Sequence, residues 1–116
     1  MSIKDDIYQK LDALSVTDLT ALYLIISERE GQLTREGWTP EHDDHQRDGA
    51  LGLAAAAYAK AAHDKIQGQD VHCPQWWPWS IKWFKPHGFQ RNLERSGALI
   101  LAEMSRLLRM DADVSD

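Results

Sequence analysis

Two segments of this chain concentrate the side chain types that bind small molecules. The first, residues 35–44, contains Trp38 beside cationic, acidic and imidazole groups, and the second, residues 76–86, contains four of the chain's five tryptophans. A tryptophan ring stacks on other planar rings, and a nearby Lys or Arg neutralises phosphate. Together the two segments predict a binding site. They carry no complete catalytic signature and no cofactor motif.

The first segment also holds a run of acids and histidines, Glu41–His45. On a helix Glu41 and Asp44 share one face, where two carboxylates could hold a divalent metal ion. This Glu-x-x-Asp spacing is similar to one half of the metal site of all-helical nucleotide pyrophosphatases. That site needs a second acidic pair, and only Glu28 and Glu30 are available, two residues apart and on different faces. The alternative is that the acids complement the dipole at a helix N-terminus.

The preferred hypothesis from these segments is a site for a nucleotide-like small molecule. Trp38 and either Trp79 or Trp83 would stack the base, four cations would bind phosphate, and Asp43 or Asp44 would accept hydrogen bonds from ribose hydroxyls. No metal ligand and no catalytic residue is assigned. The predicted ligand-binding residues are Arg35, Trp38, His42, Asp43, Asp44, Trp79, Trp83, Lys85, Arg91 and Arg95.

Each of these assignments has a structural alternative. The tryptophans of the second segment could cover an alanine-rich helix, because aromatic side chains bury a large area and a small domain needs it. Arg91 and Arg95, four residues apart, could form a solvated helix face. Arg35 could complement a helix C-terminus or pair with an internal acid such as Asp44.

Composition and charge narrow the class of protein. The chain has 116 residues, of which 43% are hydrophobic and 27% charged, as is typical of one globular domain. Its net charge of −5 argues against non-specific binding to nucleic acid, whereas the local cations after the tryptophans suit a small anion. There is no run of about 20 apolar residues to span a membrane. We expect a cytoplasmic protein, with Cys73 as a loop thiol.

The elements that position these segments are predicted to be helices. The fold class expected is all-α: a compact single domain of about four helices, with a long Trp-rich loop packed on them. Thr39 and Pro40 mark a helix start, because Thr caps the free N–H groups and Pro suits the first turn. The predicted helices are 2–14, 17–36, 40–63 and 90–110.

The third helix and the segment after it have less certain boundaries in the sequence than the other elements. Gly49 and Gly52 could interrupt the third helix, which would leave residues 41–46 as a separate turn and Asp48 as a second cap. Residues 67–88 have no helical period and should form the loop. The domain is predicted to span residues 1–110, and residues 111–116 to be an acidic disordered tail.

Several motifs together resemble a family of small proteins of tailed phages and prophages. The likeness runs from about residue 28 to residue 109, and departs from the family where His45 directly follows the Asp pair. It implies a phage accessory protein without a settled activity. A fainter likeness, in Gly37-Trp38 followed by Asp43-Asp44, is to the helical repeat domain of ryanodine receptors, which also occurs in prokaryotic nucleotide signalling. The motifs of the phage family are residues 35–44, the alanine run to Ala59, 77–79, 83–86, 91–93 and 97–103.

Three functions are therefore considered, the first being preferred. The first is a phage-type protein in the host cytoplasm that binds a nucleotide-like molecule and sequesters a host immune signal. The second is an acidic inhibitor that docks on a host defence or replication protein through an exposed tryptophan. The third is a metal-dependent nucleotide hydrolase. The alanine-rich helix beside Gly97 and Ala98 would also permit close self-association as a homodimer.

Overall fold

The structure is a computed structural model that describes residues 2–115, with side chains described for residues 2–111. The described part of the chain contains helices and no strand, which confirms the all-α prediction. A single 3₁₀ turn, Ile81–Trp83, interrupts the long loop between the last two helices. The helices are α1 Ile3–Asp12, α2 Val16–Thr34, α3 Pro40–Asp44, α4 Ala50–Ile66 and α5 Phe89–Ser115.

The helix starts follow the capping residues. Ser15 accepts a hydrogen bond from the backbone N–H of Asp18 at the start of α2. At the start of α3 the Thr39 hydroxyl accepts from the N–H of His42 at 3.2 Å, with Pro40 in the first turn. This is the arrangement that the Thr-Pro pair predicts.

The prediction of one helix over residues 40–63 is wrong, because the chain breaks between α3 and α4. Gly49 has a φ of 82°, in the left-handed region that favours glycine, and cannot continue an α-helix. The Asp48 carboxylate accepts from the N–H of Ala50 at 3.2 Å and so caps the new helix. The alternative of a separate turn before α4 describes the structure.

The core lies between α4 and α5. Small side chains on α4, among them Ala54 and Ala55, pack against Leu99 and Ala102 of α5. Small residues allow two helix backbones to approach closely, and the Ser96 hydroxyl reaches the Ala55 carbonyl at 2.8 Å. The alanine-rich face is therefore occupied by another helix of the same chain.

The helix α2 crosses α5 at Gly97. A Cβ atom on Gly97 would lie 2.8 Å from Cδ1 of Ile25, so the approach requires a residue without a side chain. Ala98 is fully buried. Gly97 and Ala98, predicted to permit contact between two copies, thus pack inside the chain, and that basis for a homodimer is wrong.

The two ends of the chain differ from expectation. Helix α5 continues to Ser115, beyond the predicted end near 110 and through most of the segment predicted as a disordered tail. Asp116 of that tail lies outside the described residues. At the other end, α1 contributes no buried residue. None of the described helices is long and apolar enough to cross a membrane.

Candidate functional site: an aromatic pocket

The two ligand-binding segments of the sequence meet at one pocket. It has a volume of about 400 Å³, within the usual range for small-molecule sites. The link after α2, the end of α3, the middle of α4 and the long loop each contribute to its wall. The lining residues are Trp38, His42, Gln46, Tyr58, Trp77, Trp79, Ser80 and Trp83.

Trp77 forms the base of this pocket and belongs to the hydrophobic core. Its ring meets Trp79 at 5.3 Å between centroids, Phe84 at 5.0 Å and Tyr58 at 5.8 Å, each in an edge-to-face arrangement. Its indole N–H donates to the Ser80 carbonyl at 3.1 Å. For Trp77 the structural alternative is therefore right, because this ring covers α4.

Trp38, His42 and Trp79 form one wall of the pocket. The Trp38 and His42 rings stack with an interplanar angle of 10° and centroids 6.0 Å apart, and Trp79 meets Trp38 at 6.3 Å. The Trp79 indole N–H donates to the side chain oxygen of Gln46 at 2.9 Å. This bond ties the long loop to the segment after α3, across 33 residues of sequence. The three predicted residues are thus brought together as expected.

Trp83 lies at the pocket with a cation on each side of it in sequence. Its ring is half-exposed, and the ammonium groups of Lys82 and Lys85 lie 5.4 and 5.5 Å from its centroid. Lys85 was predicted at this site and Lys82 was not, although its position next to Trp83 in sequence is a usable signal.

Tyr58 is the functional residue that sequence reasoning missed most completely. Its hydroxyl accepts from the N–H of Lys85 at 3.0 Å and lies 3.5 Å from the Trp83 carbonyl. It therefore holds the backbone of the lysine-bearing part of the loop against α4. In the sequence Tyr58 lies within the alanine run and reads only as a core position.

The predicted ribose acceptors lie outside the pocket lining. Asp43 is 0% exposed and accepts from the Arg29 guanidinium at 2.6 Å, which joins α3 to α2. Its second oxygen has no hydrogen-bond partner among the described residues and lies 3.6 Å from Nδ1 of His42. Asp44 accepts from Arg109 of α5 at 2.8 Å. Both carboxylates join helices, and neither lines the aromatic pocket.

None of the four predicted phosphate-binding cations is among the lining residues, although Lys85 and Arg95 each lie over the ring of one of them. Arg91 forms ion pairs with Glu28 and Glu94. Burial lowers the pKa of Arg91, but the hydrogen bonds and negative charge of the two acids have the larger effect, so the pKa is raised. Arg95 lies over the ring of Tyr58, with its carbon Cζ 5.7 Å from the centroid. The guanidinium of Arg35 folds back towards Gly31, away from the pocket lining.

Two acids of the hydrolase hypothesis pair with arginines of α5. Glu28, one of the two acids available for a second pair, is engaged by Arg91, and Asp44 is engaged by Arg109. Among residues 2–111, no group of three or more His, Cys, Asp or Glu side chains is arranged to hold a metal ion.

In comparisons with known proteins, the chain matches no protein-family model, no curated protein and no solved structure. The pocket itself is therefore the basis for any statement about function.

Proposed function

We propose that this protein binds a nucleotide-like small molecule in the aromatic pocket. The observation that carries the proposal is a pocket of about 400 Å³ lined by four tryptophans, with two lysines at the exposed ring of Trp83. Such a pocket offers flat apolar surfaces for a planar base and positive charge at its margin for phosphate.

The charge at the pocket supports an anionic ligand. No Asp or Glu is among its lining residues, although the chain as a whole carries a net charge of −5. Lys85, which the sequence predicts for this role, and Lys82 are the cations that we propose for phosphate. The two ammonium groups lie at the ring of Trp83 and not among the lining residues, so they place positive charge at the margin of the pocket.

Polar groups within the pocket suit the sugar and the edge of the base. The side chain oxygen of Gln46 accepts from Trp79, which leaves the amide NH₂ of Gln46 as a donor. The hydroxyl of Ser80 and the ring of His42 add groups that donate or accept. These three side chains take the role that the sequence assigned to Asp43 and Asp44.

The biological role that we propose is sequestration. The resemblance to phage proteins suggests the cytoplasm of an infected host, where capture of a nucleotide signal would counter a defence system. The stacking surfaces of the pocket and the lysines at Trp83 support binding of a planar anion.

A second candidate function is docking on a host protein. The exposed surface of the loop includes Trp76, Ile81 and Trp83, and exposed tryptophans are frequent hot spots in protein interfaces. This reading requires no small molecule. It remains the alternative if the pocket is not a ligand site.

The proposal is tested by calorimetry with nucleotides, dinucleotides and cyclic ADP-ribose-like compounds. Loss of one stacking ring costs about 1–3 kcal/mol, so Trp83→Ala should weaken binding roughly 5- to 150-fold. Trp76→Ala is the matched control, because Trp76 is 43% exposed in the same loop but does not line the pocket. Replacing both Lys82 and Lys85 by Met should weaken phosphorylated ligands more than nucleosides.

Two results would overturn the proposal. The first is that no nucleotide-like compound binds the folded protein. The second is that Trp76→Ala and Trp83→Ala weaken binding equally, which would place the ligand on the outer surface of the loop. If a host protein is captured instead and both variants abolish that capture, the docking alternative replaces the proposal.

A further inference from the structure

Helix α5 carries an apolar stripe whose residues stay partly exposed, although α2 crosses the same face at Gly97. Successive residues of an α-helix are rotated by about 100°, and this places the residues of the stripe within a face about 120° wide. The face opposite contains Leu99 and Ala102, which pack on α4. Each member of the stripe is at least 40% exposed: Leu93, Ile100, Leu101, Met104, Leu107 and Leu108.

A second uncovered apolar face lies on the N-terminal arm, which we define as α1 and the first half of α2, residues 3–26. Ile3, Ile7 and Leu14 recur at helical spacing on and after α1, and Val16 and Tyr23 continue the exposed apolar surface along α2. All are at least 39% exposed. The arm thus has the pattern of a helix that packs on a neighbour. Its own chain provides that neighbour at Ile25, which contacts Gly97 of α5, while the residues named above stay exposed.

The helical state of α1 itself indicates a missing contact. It has 10 residues and none of them is buried. Isolated helices shorter than about 12–15 residues are marginal in water, even when well capped. The chain as a whole is extended: its radius of gyration is 15.7 Å, against about 13 Å for a compact chain of this length.

We infer that a second copy of this chain covers both faces, with the arm of each copy packed on the α5 stripe of the other. One chain supplies both halves of this contact, so a two-fold dimer closes it without any other partner. The core of such a contact should lack charge, and every member of the α5 stripe is uncharged.

The available area agrees with a stable dimer. The arm and the stripe together expose 14 large apolar side chains, each at least 37% accessible. With about 60–120 Å² of apolar surface per fully exposed side chain, this amounts to roughly 500–900 Å² per copy. A standard interface buries about 800 Å² per partner, and the largest apolar patch of a typical monomer is about 300–600 Å².

An anionic membrane surface fits this face less well. The arm carries Asp5, Asp6, Asp12 and Asp18 beside its apolar residues, with only Lys4 and Lys10 to offset them. Amphipathic helices that bind anionic lipid are rich in cations on the polar face. The proposed dimer is independent of the aromatic pocket, which neither face includes.

Sedimentation equilibrium of the full chain at micromolar concentration tests the inference. We expect the wild type to have twice the chain mass of 13.2 kDa. Ile7→Lys on the arm and Met104→Lys on the stripe should each shift the protein to monomer. The matched control is Ile66→Lys, because Ile66 is 60% exposed at the end of α4, outside both faces, and this variant should remain a dimer.

Mixing the two interface variants tests the reciprocal arrangement. A heterodimer of the Ile7→Lys and Met104→Lys chains contains one wild-type arm on one wild-type stripe, so the mixture should associate where neither variant does alone. Hydrogen exchange of the wild type provides a measurement without mutation: protection of the α1 amides should fall on dilution. A monomeric wild type, a dimer unaffected by either variant, or a mixture that stays monomeric would overturn the inference.

Discussion

Replacing Arg29 by Met should be the most destabilising single change at the junction of α2 and α3. Arg29 donates to Asp43 at 2.6 Å, and Asp43 is 0% exposed with one oxygen that already lacks a hydrogen bond. Without Arg29 the buried carboxylate keeps its desolvation cost and loses its cation. Breaking a buried pair in this way costs about 3–5 kcal/mol. A domain of this size is stable by only about 5–15 kcal/mol, so a large part of the total would be lost.

Urea denaturation followed by circular dichroism measures this loss. Arg35→Met is the matched control: the same substitution at an exposed arginine at the end of α2 should cost less than about 1 kcal/mol. The double variant Arg29→Met/Asp43→Leu should recover most of the stability, because both charges are removed. Equal effects of Arg29→Met and Arg35→Met would refute the reasoning, as would a double variant no more stable than Arg29→Met alone.

Three further predictions concern individual contacts. Gly97→Ala should lower the free energy of unfolding measured in urea, because its Cβ would lie 2.8 Å from Ile25. Gly52→Ala has no neighbour closer than 4.0 Å and should raise the free energy of unfolding by up to about 1 kcal/mol. Hydrogen bonds from Lys60 and His63 lower the pKa of Asp64 in the folded state. The ionised carboxylate therefore stabilises the fold fully above about pH 4, and this stabilisation is lost as the pH falls through the lowered pKa. The melting temperature of Asp64→Asn should depend less on pH in that acid range than the melting temperature of the wild type. Tyr58→Phe leaves the backbone N–H of Lys85 unpaired, so it should lower the free energy of unfolding by about 1–3 kcal/mol and weaken ligand binding. Unchanged stability by calorimetry would show that this hydrogen bond does not hold the loop.

Local signals in the sequence account for most of the helix boundaries. Ser15 and Thr39 act as caps as predicted, because a cap depends on residues two or three positions away. The break before α4 is ambiguous in the sequence, because Gly49 permits a left-handed conformation but does not require it. The longer course of α5 has no local signal, because residues 111–115 include Asp, Val and Ser, which are weak helix formers, and acids oppose the dipole at a helix C-terminus.

Tertiary pairing explains what could not be predicted at the site. Arg29 and Asp43 lie 14 residues apart, and Arg91 and Glu28 lie 63 apart, so nothing local indicates that they meet. Trp79 is different, because aromatic type and loop position already suggest a pocket wall. The sequence therefore predicted three tryptophan rings of the pocket, and the lining contains none of the acids, lysines or arginines that were grouped with them.

The indole N–H signals of the five tryptophans provide the most direct test of the central claim, that the aromatic pocket binds a planar ring. We would record ¹H–¹⁵N correlation spectra while adding a nucleotide or dinucleotide that binds in calorimetry. The account predicts that the Trp38, Trp79 and Trp83 signals shift with the same saturation curve and that the Trp76 signal stays in place. Binding that shifts Trp76 and leaves Trp79 and Trp83 unmoved would contradict it.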